Sequence, residues 1–226
     1  MKKSRFNLWA AGLCVAGLFT CILPADAQVT VTFNGVSPEE DITLQIAGAI
    51  TFGPGAVQAG IYNQTVNGVV TPSFCIDVFR ESTAGETLTD YNYTDLSLAP
   101  LNPAGPMGAS AAIDIEKLWA QYFPAASANN QDAAALQVAI WQEVAQSVGT
   151  YTLTFSGNDP ATTEATTMLA SLPNLTAQAN LKGLISPSGQ NYVVPTPAPE
   201  PTTAGCFVVG LGVLACLQRL KIGRRI

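Results

Sequence analysis

Two apolar segments, one at each end of the chain, limit the part of this protein that can fold as a water-soluble domain. At the start, basic residues precede an apolar run at residues 8–23, and Ala25-Asp26-Ala27 then supplies the small residues that a signal peptidase requires. This order predicts a secretory signal peptide in residues 1–27, with cleavage after Ala27. An uncleaved membrane anchor is the alternative. In both cases we expect the rest of the chain to leave the cytoplasm.

The opposite end combines a proline-rich linker, a short apolar stretch and a basic terminus. Pro199, Glu200 and Pro201 come first, and an apolar stretch at residues 204–217 follows. The basic terminus includes Arg219, Arg224 and Arg225. Fourteen apolar residues make a helix of about 21 Å, because each residue adds 1.5 Å. A full bilayer span needs roughly 20 residues. Since basic residues favour the cytoplasmic side, we expect residues 202–226 to form a marginal transmembrane helix that anchors the body outside.

This terminus resembles the PEP-CTERM sorting signal of Gram-negative bacteria, in which the same three parts occur in the same order. The resemblance implies that an exosortase recognises the segment and cleaves it near residues 199–201. The inner membrane is then a temporary anchor, and the product moves to the cell surface or the extracellular matrix, often with exopolysaccharide. A plain C-terminal anchor is the alternative. We take residues 191–201 as the linker that carries the sorting motif.

The composition of the body excludes several classes of function. Between Gln28 and Ala198 there are three basic residues against 14 acidic ones, a net charge of −11. Nucleic acid is therefore not expected as a partner, because phosphate binding needs clustered Lys and Arg. The chain has no histidine, which excludes Ser-His-Asp and Cys-His catalysis and removes the commonest zinc ligand. We expect no metal and no cofactor.

Hydrophobic periodicity and turn residues predict a mixture of strands and helices in the body. Asn67-Gly68 is typical of the tight turn of a β-hairpin. Ser110 is the expected N-cap of a first helix that ends at Pro124. A second helix is expected to begin at Asn129 or Asn130 and to end at Gly149. The remaining predictions are strands at residues 29–33, 74–79, 151–155 and 191–194, and a third helix at 162–172.

Cys75 and Gln137 are the two residues of the body that most need a partner. The other four cysteines lie in the two terminal segments, so Cys75 has no cysteine for an internal disulfide. On a helical wheel, Gln137 falls at the centre of the apolar face of the second helix, where an unpaired amide costs about 1–3 kcal/mol. A thioester between the Cys75 sulfur and the Gln137 acyl group, formed with loss of ammonia, solves both problems. Alternatively, Cys75 is an ordinary buried side chain and Gln137 bonds a backbone carbonyl.

Both segments resemble the bacterial surface thioester domain family. Phe74-Cys75-Ile76 matches its aromatic-Cys-aliphatic strand motif, and Gln137, Ala139, Ile140 and Trp141 match its Gln-x-Ala-aliphatic-Trp helix motif. The resemblance covers roughly residues 60–148 and departs from adhesin members at Leu136, where those members often have Thr. It implies that Cys75 and Gln137 form the thioester, with Phe74, Ala139 and Trp141 supporting it.

The resemblance also implies an α+β fold for residues 28–190, with a β-sandwich or barrel-like sheet and a small helical subdomain. The expected chemistry is attack on the Gln137 acyl carbon by an amine of a surface or matrix partner. The protein is consumed in that step, so it is not an enzyme. Asp77 is expected on the same strand face as Cys75, where its carboxylate would accept a proton.

Two other functions remain open from the sequence. The first is a structural protein of the exopolysaccharide matrix that keeps the fold without the bond. The second is a secreted hydrolase that uses acids such as Asp114 and Glu116. The second is disfavoured because residues two apart on a helix do not face each other.

Overall fold

The structure, a computed structural model, describes residues 28–156 and 160–197. The expectations for the signal peptide and its Ala27 cleavage site, for the sorting motif and for the C-terminal helix lie outside these residues. The strands are β1 (Val29–Gly48), β2 (Phe52–Val66), β3 (Val69–Cys75), β4 (Thr87–Asp95), β5 (Tyr151–Ser156), β6 (Leu181–Ile185) and β7 (Tyr192–Pro195). The helices are α1 (Gly108–Ala126), α2 (Asn130–Val148) and α3 (Pro160–Ser171), with short 3₁₀ turns at Leu96–Leu98 and Leu172–Asn174.

All seven strands belong to one antiparallel sheet, which confirms the predicted α+β class. The order across the sheet is β2-β3-β7-β6-β4-β1-β5. The long strand β1 also pairs with β2 from Val31 to Ile46, so that six of the strands form a closed ring of pairings. Strand β5 extends this ring by pairing with the C-terminal half of β1. The ring brings together strands that are more than 100 residues apart in the chain, and β3 meets β7 in this way.

The hairpin predicted at Asn67-Gly68 is confirmed. Both residues have positive φ, 48° and 84°, as a type I′ turn requires. The turn sets the register of β3 on β2, with Val66 opposite Val69 and Tyr62 opposite Ser73. It thereby fixes the position at which β3 ends, at Cys75.

The helices form a layer in which α2 is the central element, in contact with α1, α3 and four strands. Asn129 caps α2, since its side-chain oxygen accepts a hydrogen bond from the Asp132 N–H at 2.8 Å. Gly149 ends the helix in the left-handed conformation, with φ of 69°. These two predictions are confirmed. The alanines at positions 133, 134, 135 and 139 are fully buried, and their small side chains let neighbouring elements approach α2 closely.

The predicted limits of α1 are wrong at both ends. The helix begins at Gly108, two residues before Ser110, and no side chain caps it. It also continues past Pro124 to Ala126. A proline inside a helix removes one N–H donor and its ring crowds the carbonyl four residues before it. Pro124 itself is exposed, but Phe123 and Ala126 on either side pack against the core, Phe123 edge-on against Phe74, and this packing holds the last turn in place.

The folded domain extends further than residue 190. Strand β7 lies inside the sheet, between β3 and β6, and the Thr196 N–H donates to the Asn180 carbonyl at 2.9 Å. The assignment of residues 191–201 as a linker is therefore corrected, because residues 192–195 form strand β7. The strand predicted at residues 191–194 describes this segment better. Among the residues described, no helix combines the length and apolarity needed to cross a membrane.

Candidate functional site

Cys75 is the last residue of β3 and lies at the junction of the sheet with α2. It pairs with Tyr192 of β7, and the next residue, Ile76, donates its N–H to the Asn191 carbonyl at 3.0 Å. The chain then leaves the sheet at Asp77. Cys75 and Asp77 are both fully buried, so the end of β3 runs into the core and not to the surface.

Gln137 meets Cys75 directly, although 62 residues separate them in the chain. Its Oε1 accepts a hydrogen bond from the Cys75 N–H at 2.9 Å, and its Nε2 donates to the Cys75 carbonyl at 2.8 Å. The amide thus completes the hydrogen bonding of the strand end, and both residues have no exposed surface. The alternative to a thioester is that Gln137 bonds a backbone carbonyl, and this hydrogen bond is present. The same contact also holds the Gln137 acyl group beside Cys75. The thioester itself stays a prediction.

The Cys75 sulfur lies among hydrogen-bond donors. Gln190 Nε2 donates to Sγ at 2.9 Å, and the Asp77 N–H donates to it at 3.3 Å. The Asp77 carbonyl, also at 3.3 Å, accepts from the thiol. Burial raises the pKa of Cys75 to about 12, against the opposing effects of Trp141, the Asp77 backbone and Gln190. The thiol is therefore neutral at pH 7, and any thiolate formed here is stabilised by the hydrogen bonds from these donors.

Asp77 does not serve Cys75 in the expected way. Its backbone contacts the sulfur, whereas its carboxylate accepts from the Phe79 N–H at 3.2 Å and pairs with Arg80 Nη1 at 3.2 Å. Burial raises the pKa of Asp77, and the hydrogen bond from Phe79 and the charge of Arg80 oppose that shift. The expectation that its carboxylate takes a proton from the reacting group is not supported by this geometry, because the carboxylate is committed to Arg80.

Arg80 joins three loops around the site. Besides Asp77, its guanidinium donates to the carbonyls of Ser186 at 3.3 Å, Gly189 at 3.4 Å and Asn102 at 3.1 Å. Because the segment 186–189 leads directly into Gln190, Arg80 fixes the residue that contacts the thiol.

The three support residues have separate roles. Phe74 points away from the thiol and packs edge-on against Trp119, with ring centroids 5.2 Å apart. Ala139 is fully buried on α2. Trp141 lies one turn after Gln137; its indole N–H makes no hydrogen bond of ordinary geometry, yet it is close enough to Cys75 to lower the pKa of the thiol.

The sequence did not indicate Gln190, Tyr192 or Arg80. Gln190 lies 115 residues after Cys75, in a polar stretch that reads as a loop. Its Oε1 accepts from the Tyr192 hydroxyl at 3.0 Å, which orients the amide so that Nε2 faces the sulfur. The only sequence signal was the amide pair Gln190-Asn191 immediately before an apolar strand, where such side chains need buried partners.

A cavity of about 400 Å³ lies next to this cluster. Gln190 and Trp141, which both act on the thiol, form part of its wall, together with Tyr62. The remaining wall comes mainly from β1, β2 and the segment at 78–82, including Phe33, Leu44, Ile46, Phe52, Val57, Val78, Phe79, Arg80 and Glu81.

Asp114, one of the acids considered for hydrolysis, is paired on α1, where its carboxylate accepts a hydrogen bond from Lys117 at 2.9 Å. Burial raises the pKa of the Glu116 carboxyl group. Within residues 28–156 and 160–197, no group of acidic residues and cysteine is arranged to hold a metal ion.

Comparison with known proteins adds no family assignment. No family model matches the chain, and no curated protein or solved structure is similar to it at a significant level.

Proposed function

We propose that this protein is an exported surface or matrix protein in which Cys75 and Gln137 form an internal thioester that bonds covalently to an amine-bearing partner. The observation that carries the proposal is the contact between the Gln137 side-chain amide and Cys75, at 2.8 and 2.9 Å in a fully buried site. A reactive acyl bond needs such a site, because buried groups are protected from water before the partner arrives.

The chemistry balances with the groups in this site. In formation, the Cys75 sulfur attacks the Gln137 amide carbon, the C–N bond breaks and ammonia leaves with the thiol proton. In capture, an amine attacks the same carbon, the C–S bond breaks, and the proton of the amine ends on Cys75. The Cys75 N–H already donates to Gln137 Oε1, where negative charge develops in both steps. Gln190 and the Asp77 N–H donate to the sulfur that leaves.

The terminal segments support the cellular part of the proposal. A signal peptide ending at Ala27 directs export, and the motif at residues 199–201 with its basic terminus makes an exosortase the partner that processes the anchored precursor. We also propose that the ring of six strands is the barrel-like sheet implied by the thioester domain resemblance, and that α1–α3 are its helical subdomain.

A second candidate is a non-reactive structural protein of the exopolysaccharide matrix. The observation that favours it is that both polar atoms of Gln137 already have backbone partners. An amide satisfied in this way has no energetic need to react.

Mass spectrometry of the full chain, purified without amines, separates the two candidates. For a thioester, we expect the summed mass of the fragments containing Cys75 and Gln137 to be lower by one ammonia than the mass calculated from their composition. Methylamine should add once, at Gln137. An unmodified mass with a free thiol at Cys75 would instead support the structural protein.

Two substitutions make the test specific. Cys75→Ala removes the thiol and should abolish both the ammonia loss and the methylamine adduct. Gln146→Ala changes an exposed glutamine on the same helix and should leave both unchanged. Labelling that persists in Cys75→Ala would contradict the proposal.

A further inference from the structure

The cavity beside Cys75 has the features of a binding site. Its volume of about 400 Å³ lies within the roughly 300–1,000 Å³ typical of small-molecule sites. Most of its lining residues are apolar, although close to half of its exposed surface is polar, and five of them are aromatic: Phe33, Phe52, Tyr62, Phe79 and Trp141. An occupant with an aromatic or branched apolar stem fits such a wall, because burial of its surface drives binding and ring faces pack well against rings.

The charges at the cavity favour a cationic occupant. Arg80 contributes to the wall, but its charge is opposed by Asp77 at 3.2 Å and its N–H groups are bound to three carbonyls. Glu81 also contributes to the wall, and it has no ion-pair partner among the residues that the structure describes. An ammonium group is attracted by this carboxylate and by the faces of the surrounding rings. The acidic body, at −11, acts in the same direction.

The cavity also leads to the reactive pair. Gln190 stands between it and Cys75, since it lines the cavity and donates a hydrogen bond to the thiol sulfur at 2.9 Å. Trp141 also lines the cavity, one helical turn after Gln137, and it lowers the pKa of the thiol. Cys75 and Gln137 themselves do not line it. An amine held in the cavity therefore needs only a shift of these two side chains to approach the acyl carbon.

We propose that this cavity is the recognition site for the captured amine, that it selects a primary amine on an aromatic or branched apolar stem, and that Gln190 and Trp141 separate the bound amine from the acyl bond. This inference deepens the proposed function and rests on it for the covalent step. The non-covalent step is a property of the cavity alone.

Binding is measured first, without the covalent reaction. The full chain carrying Cys75→Ser cannot form the thioester, and Cys75→Ala provides a second such form. We expect equilibrium dialysis to show saturable binding of phenethylamine to both. Val57→Trp, which fills the cavity from β2, should weaken binding at least about tenfold, a clear loss of contact free energy. Val70→Trp places the same side chain at an exposed position of β3, where Val70 is 72% accessible, and should leave binding unchanged.

Further variants keep the result interpretable. Val36→Trp, which fills the cavity from β1, is a second such substitution, should Val57→Trp fail to fold. Glu81→Gln should weaken binding of phenethylamine, whereas Glu40→Gln, which lies outside the cavity, should not. An absence of saturable binding, or binding that both filling variants retain, would overturn the proposal.

The covalent arm distinguishes this inference from the proposed function. In the parent chain, phenethylamine should label Gln137 faster than methylamine at equal concentration, and Val57→Trp should remove that preference while methylamine still reacts. Labelling by both amines at equal rates would refute selection by the cavity and leave the thioester standing. A parent chain with no ammonia loss would refute the thioester, and the dialysis result would still decide whether the cavity binds amines.

Discussion

Gln190 donates a hydrogen bond from Nε2 to the sulfur of Cys75 at 2.9 Å, across 115 residues of chain. The same glutamine is oriented by the Tyr192 hydroxyl, and Tyr192 pairs with Cys75 in the sheet. Cys75 is therefore held between two glutamines: Gln137 binds the Cys75 backbone and Gln190 binds the Cys75 sulfur. The two have different chemical roles, and substitutions can separate them.

Replacing Gln190 with Met keeps the bulk of the side chain beside Cys75 but removes its donor, and should slow capture of methylamine without preventing thioester formation. The sulfur leaves as a thiolate in a buried site, and the variant loses one donor to it. Removal of one such hydrogen bond corresponds to a rate decrease of roughly tenfold. The rate of adduct formation at Gln137, followed by mass spectrometry, measures this effect, with Gln146→Ala as the control. An unchanged rate would show that Gln190 has no part in the leaving of the thiolate.

Replacing Gln137 with Glu should make stability depend on pH. A protonated carboxyl group can donate to the Cys75 carbonyl and accept from its N–H, as the amide does, whereas a carboxylate cannot donate. Burial raises the pKa of such a group in the folded state above its unfolded value of about 4.3. The folded state then binds more protons than the unfolded state above that pH, so the free energy of unfolding falls as pH rises.

Urea unfolding at about pH 4 and pH 8 checks this prediction. Both substitutions are made in Cys75→Ala, in which Gln137 keeps its amide. Gln137→Glu should be close to Cys75→Ala at the lower pH and clearly less stable at the higher one. Gln146→Glu is the matched control and should follow Cys75→Ala at both. A deficit of equal size at both values would mean that the carboxyl group is not buried against Cys75.

Replacing Arg80 with Ala should destabilise the domain by about 2–3 kcal/mol. Asp77 is fully buried and loses its ion-pair partner, and removal of one partner of a buried pair costs about 3–5 kcal/mol. The expected value is smaller because the Arg80 side chain is 24% exposed. The pKa of folded Asp77 is already raised and rises further in the variant. The deficit should therefore shrink as the pH falls from the folded pKa of the variant through that of the parent, both of which lie above the unfolded value of about 3.9.

Denaturant unfolding of the double variant Asp77→Asn/Arg80→Ala tests the cause of this loss. Without a carboxylate to leave unpaired, the double variant should be more stable than Arg80→Ala at neutral pH. Lys182→Ala, which breaks the exposed pair with Asp95, should have little effect on stability because solvent screens such a pair. If the double variant is no more stable than Arg80→Ala, the loss comes from the carbonyl contacts of Arg80 and not from Asp77.

Replacing Asn129 with Ala should destabilise the domain by about 1 kcal/mol, the usual cost of losing an N-cap. Its side chain satisfies the Asp132 N–H at 2.8 Å, and α2 carries Gln137. Asn130→Ala, at the first helical position, should have little effect. Thermal or urea unfolding of the two variants makes the comparison, and equal stabilities would contradict the capping role.

The sequence by itself determined the local structure around the site. The Asn67-Gly68 turn, the Asn129 cap and the Gly149 end of α2 each depend on backbone geometry and hydrogen bonds within a few residues, so their signals are local. The burial of Gln137 also followed from the apolar stripe of its own helix. The predicted ends of α1 failed because packing by distant residues, and not local sequence, carries the helix through Pro124.

Only the tertiary structure decided what surrounds the sulfur. Closure of the ring of strands brings β7 beside β3. As a result, Gln190 contacts the Cys75 sulfur, and Arg80 forms hydrogen bonds that join three loops. The same closure placed residues 192–195 in the sheet and not in the linker, whereas the contacts of the Asp77 carboxylate with Arg80 and the Phe79 N–H are local. Strand pairs that are distant in the chain are selected by the packing of the whole core, and no short stretch of sequence encodes that energy.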